Sequence, residues 1–142
     1  MCTEVGKFNA DFWCYRKNEL IEVEIKTSKS DLNADFKKKK HILYKTGRHY
    51  WIPNRFYFAV PEELVKYALA KSVSYGYGVM VVSDKGSIVG ADDVRIIKRS
   101  SKLHDRLPNN TVIRNIEQRL MSEMANLRVK LQGRNDDNTI WY

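Results

Sequence analysis

Two cysteines in 142 residues, Cys2 and Cys14, are too few for a disulfide framework, and that scarcity suits a chain kept in a reducing cytoplasm. Neither sits in a C-x-x-C spacing, and His41, His49 and His104 form no H-x-x-x-H spacing. No zinc site is therefore expected, and the thiols read as small packing residues. No apolar run approaches the roughly 18 residues that cross a bilayer, and the N-terminus lacks the apolar core of a signal peptide. The expectation is a cytoplasmic chain with no membrane partner. Acidic residues are also scarce relative to basic ones, 17 against 25, which leaves a formal net charge of +8. A polyanionic partner follows, and nucleic acid is the natural one. No internal repeat is evident, and the length suits one domain with a real core.

What the chain does possess is a strand of strict alternation. Residues 20–26, Leu-Ile-Glu-Val-Glu-Ile-Lys, send Ile21, Val23 and Ile25 one way and Glu22, Glu24 and Lys26 the other. This reads as a core face backing a charged face. Residues 9–15 form a second strand, and Arg16, Lys17, Asn18 and Glu19 the turn of a hairpin. Whether the loop has two residues or four, paired positions sum to 35, so Asp11 falls opposite Glu24. Carboxylates so placed, with Cβ atoms about 5 Å apart, destabilise the pair unless a cation lies between them or one takes up a proton. Oxygen ligands at that distance suit Mg²⁺ or Mn²⁺. Lys26 follows on the same face, about 6.6 Å along the strand. Two carboxylates and a lysine around a hydrated hard cation can activate water against a phosphodiester. The plain alternative is a solvated ladder of Glu22, Glu24 and Lys26 with affinity for neither metal nor DNA.

Asp11 and the Glu24-Ile25-Lys26 triplet resemble the D…E-x-K active site of the PD-(D/E)XK nuclease superfamily. Residues 23–38, Val-Glu-Ile-Lys-Thr-Ser-Lys-Ser-Asp-Leu-Asn-Ala-Asp-Phe-Lys-Lys, are similar to the E-V-K-x-S-x-x-D-F-x-x-D-x-K pattern of the MmcB-like DNA-repair nuclease family. Residues 54–61 and 77–82 are like segments of that family in the same order, so the resemblance covers residues 3–97. Two departures are plain: the family usually has a helix before the first strand, and Ala10 stands where the superfamily motif has proline. The resemblance implies an α/β, restriction-endonuclease-like mixed β-sheet flanked by helices, here with an added long C-terminal helix. It also implies Asp11, Glu24 and the Ile25 carbonyl holding Mg²⁺, with Mn²⁺ as substitute. Lys26 would position and prime the attacking water. Asp11, Glu24 and Lys26 are thus the expected catalytic residues, and DNA is the expected substrate, in repair or recombination, with 5′-phosphate and 3′-hydroxyl products. A catalytically silent nucleic-acid-binding module of the same fold is the rival reading.

The remaining sequence organises around that core. Residues 3–8 read as an edge strand whose Glu4 is either an outer acidic group of the site or an exposed carboxylate. Ser28-x-x-Asp31 reads as a capping box opening a helix to about Tyr44, packed through Leu32, Phe36 and Leu43 with the stem of Lys39 or Lys40. Lys37 to Lys40 and His41 would cover its other faces, either solvated or holding phosphate by counterion release. Lys37, Lys38, Lys40, His41, Arg48 and Arg55 are the candidate nucleic-acid contacts, and Glu4, Ser28, Asp31 and Asp35 possible accessory groups. In residues 44–53 the cations Lys45, Arg48 and His49 interleave with Tyr50 and Trp51. That pattern suits a backbone with stacked unpaired bases, or a packed loop with a basic rim. Residues 55–60 read as a doubly buried strand parallel to the Glu24 strand. Pro61-Glu62-Glu63 opens a short helix to about Ser72, and 77–82 form another buried strand. A turn at 84–86 leads into 87–89, and 94–97 make a last short strand. Residues 1–97 are then the nuclease-like core, 98–110 a linker, 111–132 a helix closed by Gly133, and 133–142 a tail. Ile113, Ile116, Leu120, Met124, Leu127 and Leu131 make one helical stripe that packs on its own sheet or seams a homodimer.

Overall fold

In the computed structural model the described residues are 11–48, 52–83, 94–108 and 110–137, with side chains to 132. The expectations for Cys2, Glu4, His49, Tyr50, Trp51, the strands at 3–8 and 87–89, and the last five residues lie outside them. The hairpin sets the register of everything else. Lys17 and Asn18 both take positive φ, 50° and 61°, the two-residue turn whose twist matches its flanking strands. The tyrosine hydroxyl of Tyr15 donates to Asn18 Oδ1 at 3.1 Å and pins it. The turn joins β1 (Phe12–Arg16) to β2 (Glu19–Ile25), and Arg16 pairs with Glu19 while Phe12 pairs with Val23.

Next come α1 (Lys29–Phe36), α2 (Lys39–Thr46), β3 (Arg55–Pro61), a turn of 3₁₀ helix at Glu62–Leu64, and α3 (Val65–Ser72). The chain continues with β4 (Gly78–Val82), β5 (Val94–Lys98) and α4 (Asn110–Asp137). The described strands make one mixed sheet in the order β1-β2-β3-β4-β5, parallel at β2–β3 and β3–β4 and antiparallel at both margins. The fold is thus α/β, a mixed sheet flanked by helices with a long C-terminal helix. Leu32, Tyr44, Ile52, Phe56, Phe58, Val60, Tyr77 and Val79 form the main core, which α1, α2 and α3 close. Trp13 and Leu20 form a second cluster with Val112 and Ile116 of α4.

Four expectations are corrected. The faces of β2 are reversed: Leu20, Glu22 and Glu24 are buried and Ile25 is 44% exposed. Glu22 pairs with Phe56 and Glu24 with Phe58, so both acids lie on the face that α2 covers. Alternation with period two separates two faces but does not say which is inside when the inner one brings its own cation.

The single helix to Tyr44 is in fact two. Ser28 caps α1 by accepting from the Asp31 amide at 3.2 Å, but the helix ends after Phe36, and Lys38 takes extended dihedrals (φ −68°, ψ 142°) before α2 begins. The break turns Lys40, His41 and Tyr44 inward. The third correction concerns the expected linker at 98–110, of which residues 100–104 are docked on the sheet's end. Ser100 Oγ accepts the Phe56 amide at 3.1 Å, the Leu103 amide donates to the Asn54 carbonyl, and His104 Nε2 donates to Ile52 O at 2.7 Å. Finally, α4 continues through Gly133 to Asp137, because a helical glycine costs only about 1 kcal/mol.

Candidate active site

The site grows out of the carboxyl end of β2. Asp11 precedes β1, and its Oδ2 accepts the Ile25 amide at 2.8 Å. Extending the observed register by one pair sets Asp11 across from Glu24. Glu24 points inward, its Oε1 on Lys40 Nζ and its Oε2 3.3 Å from Lys26 Nζ. Lys26 leaves the strand's end, where its amide donates to Ala59 O, and its ammonium also meets Asp35 Oδ2 at 2.7 Å. Glu24 and Lys26 thus meet directly, and Asp11 meets the backbone amide of Ile25 between them.

Behind them lies a polar network that the sequence did not reveal. Lys40, wholly buried, donates to Glu22 Oε1 at 2.8 Å as well as to Glu24. Tyr44 donates its hydroxyl to the other oxygen of Glu22. On the second branch Asp35 Oδ1 meets His41 Nε2 at 2.7 Å, and His41 Nδ1 meets the Tyr77 hydroxyl at 2.8 Å. Burial lowers the His41 pKa despite the opposing pull of Asp35, so the ring is neutral at pH 7. Its Nε2–H then donates to Asp35 while Nδ1 accepts from Tyr77, whose own ionisation burial suppresses.

Electrostatics divide the two branches. Burial would raise the Asp35 pKa, yet the His41 bond, the Lys26 bond and the charge of Lys40 together hold it well below the usual range. Burial likewise opposes the charged form of Lys26, and its bond and charge pairing with Asp35, followed by Glu24, outweigh that and raise its pKa. Lys40 also stays cationic, since Glu22 and Glu24 overcome its desolvation. One ammonium facing two carboxylates leaves an excess negative charge, and burial raises the Glu22 pKa more than Lys40 and Tyr44 lower it.

The expected nucleic-acid contacts separate accordingly. Lys40 and His41 are not surface cations; the break between α1 and α2 carries them into the interior, where their polar atoms are engaged. Arg55 is at the far end of β3, binding Glu19 at 2.7 Å and the Ser100 carbonyl, so it belongs to the hairpin end of the sheet. Lys37, Lys38 and Arg48 are exposed, as is Lys39, and Lys38 reaches back to Asp35 at 3.4 Å. Ser28 and Asp31 are helix-capping groups, with Asp31 also near the Thr27 hydroxyl at 3.4 Å. Lys45 lies 4.4 Å from the ring centre of Tyr75.

Lys26 lines a hollow of about 290 Å³ formed with Ile25, Ala59, Pro61 and Val82. It lies at the carboxyl ends of the parallel strands β2, β3 and β4, where open α/β sheets bind ligands. The opposite end of the sheet carries a second hollow of about 290 Å³, lined by Arg16, Lys17, Arg55, Tyr57 and Arg99 among others.

No family model and no curated protein matches this chain. Its fold is similar to that of a solved protein of unknown function from Silicibacter pomeroyi, with a TM-score of 0.56 at 17% identity over 99% of this chain and 80% of that one. At that identity the likeness is one of fold alone.

Proposed function

We propose that this protein is a Mg²⁺-dependent deoxyribonuclease of the PD-(D/E)XK type, related to the MmcB-like DNA-repair nucleases. The observation that carries the reading is the placing of Asp11 on the Ile25 amide, with Glu24 and Lys26 on either side of Ile25. The sequence resemblance supports it. So does the position of Lys26 beside a hollow at the carboxyl ends of the parallel strands.

Among the described residues no group of three His, Cys, Asp or Glu side chains can surround an ion. Mg²⁺, however, is commonly held by one or two carboxylates with waters and substrate phosphate. The 3.3 Å contact from Lys26 leaves lone pairs on Glu24 Oε2. The donors therefore fit an open site completed by substrate, in which Asp11, Glu24 and the Ile25 carbonyl would hold the ion. Bound there, Mg²⁺ would supply charge to the phosphoryl oxygens and acidify an attacking water. Lys26 is the group of this chain that meets the scissile phosphate and counters the charge growing on it. Asp35 and Glu24 hold its ammonium in place, and with a raised pKa it stays charged through the physiological range. Lys37, Lys39 and Arg48 supply backbone contacts.

Cleavage of duplex, flap, junction and single-stranded DNA, with chelator and then with Mg²⁺ or Mn²⁺, tests the proposal. Metal-dependent products ending in 5′-phosphate are expected, and no cleavage of any substrate would refute it. Replacing Lys37, Lys39 and Arg48 by Ala should reduce the slope of log K against log salt by about one for each phosphate that is no longer neutralised. One observation favours the second reading, a silent DNA-binding module: both oxygens of Glu24 already face lysines. That reading predicts salt-dependent DNA binding without cleavage.

A further inference from the structure

Helix α4 holds 28 residues, about 42 Å of helix at 1.5 Å per residue, and among the described residues its buried positions, Val112 and Ile116, lie in its first turns. Val112 and Ile116 close on Trp13 and Leu20, with Leu120 at the margin. Beyond that point Met121, Met124, Leu127, Val129 and Leu131 are between 59% and 70% exposed. Helices in proteins draw most of their stability from packing an apolar face, and so much exposed apolar surface on one segment marks an interaction site.

The pattern names the occupant. Leu120, Met124, Leu127 and Leu131 follow spacings of four, three and four, the d and a positions of a coiled coil, which places Glu123 and Lys130 at g and Met121 and Arg128 at e. We propose that this overhang is covered by the same segment of a second copy, running antiparallel. In that arrangement Leu120 faces Leu131 and Met124 faces Leu127, each contact occurring twice by symmetry, as a two-fold interface requires. Glu123 of each copy then comes beside Lys130 of the other, and Arg128 lies along Met121. Glu123 already meets Arg119 within its own helix at 3.1 Å, an i,i+4 contact compatible with a second cation. A parallel pair would also match charges, Glu123 with Arg128, but both folded bodies would then crowd one end of the seam. The antiparallel pair sets them at opposite ends. Four core positions make a short seam, so the association is weak and concentration-dependent.

Sedimentation equilibrium of the full chain, from micromolar to submillimolar, is the test. The expected result is a monomer–dimer equilibrium that Leu127→Glu shifts to monomer without changing the far-UV spectrum. Glu123→Lys and Lys130→Glu should each weaken association at least several-fold, and the two changes together should restore it. For direction, Met124→Cys and Leu131→Cys are each introduced with Cys2→Ser and Cys14→Ser and then oxidised. Met124→Cys should cross-link near the two-fold axis, whereas Leu131→Cys should not. A monomer at every concentration, a trimer, or efficient cross-linking through Leu131→Cys overturns the proposal, as does a charge swap that fails to restore what the single changes removed.

Discussion

Two regions under one face of the sheet are built from successive inward residues of β2, and they could hardly differ more. Leu20 closes against Trp13, Val112 and Ile116 in a hydrophobic cluster with α4. Glu22 and Glu24, the next two, lie under α2 among Phe56, Phe58 and Tyr77 and are met by Lys40. The first region follows from the hydrophobic effect alone. The second works against folding, since burying ions costs several kcal/mol each and a well-packed apolar replacement is often as stable. Such an arrangement is understandable where a carboxylate must be held in one position. Glu22, Lys40 and Tyr44 fix Glu24 from behind, and Asp35, His41 and Tyr77 fix Lys26.

The contrast can be broken most severely at Lys40. Lys40→Met strips Glu22 of its cation, leaving it only the Tyr44 hydroxyl, and leaves Glu24 only the Lys26 contact, and should cost about 4 kcal/mol, measured by urea unfolding at pH 7. Adding Glu22→Gln and Glu24→Gln to it should recover much of that loss, because the charge requiring compensation is gone. If Lys40→Met alone is neutral, the ammonium does not hold the acids. In the apolar region Leu20→Ala should cost about 3 kcal/mol through lost burial and a residual cavity, with no dependence on charge at its neighbours.

A smaller effect separates the regions by pH. The folded-state pKa of His41 lies below its ordinary 6.5, so below that pH the unfolded chain takes up a proton that the folded chain refuses. Stability should then fall as pH drops from 6.5 toward the folded value, at up to about 1.4 kcal/mol per unit. His41→Gln should flatten that slope, whereas Leu20→Ala should leave it intact. Asp35, whose pKa is depressed, adds its own loss only as the pH falls below 3.8. An identical slope in His41→Gln would assign the titration to another group.

Much of this was legible in the residues. The hairpin register, and with it the place of Asp11 beside the Ile25 amide, follows from counting across the Lys17-Asn18 turn. The continuous apolar run of β3 marked a strand buried on both faces and parallel to β2. That same run held an unused signal, because acids hydrogen-bonded beside Phe56 and Phe58 have little access to water. Lys40 and His41 were misplaced because four consecutive lysines have no periodicity to single out an inward one. Only the helix break at Lys37 and Lys38, a consequence of tertiary pairing, decides it. Asn54 shows the same limit: its side chain ties the Leu20 amide to the His104 and Arg106 carbonyls, partners up to 52 residues from Asn54 itself that no local pattern connects.

Glu24 serves chemistry on this reading, while Glu22, one strand repeat away, serves structure, and the rest depends on that division. Relaxation of supercoiled plasmid by the wild type, Glu24→Gln and Glu22→Gln in saturating Mn²⁺, with DNA affinity and unfolding measured alongside, addresses it head-on. Nicking is expected from the wild type, with a loss of at least about 100-fold in Glu24→Gln at unchanged DNA affinity, and folded Glu22→Gln should retain it. Equal nicking by the wild type and Glu24→Gln, or none by the wild type while it binds DNA, would overturn the division.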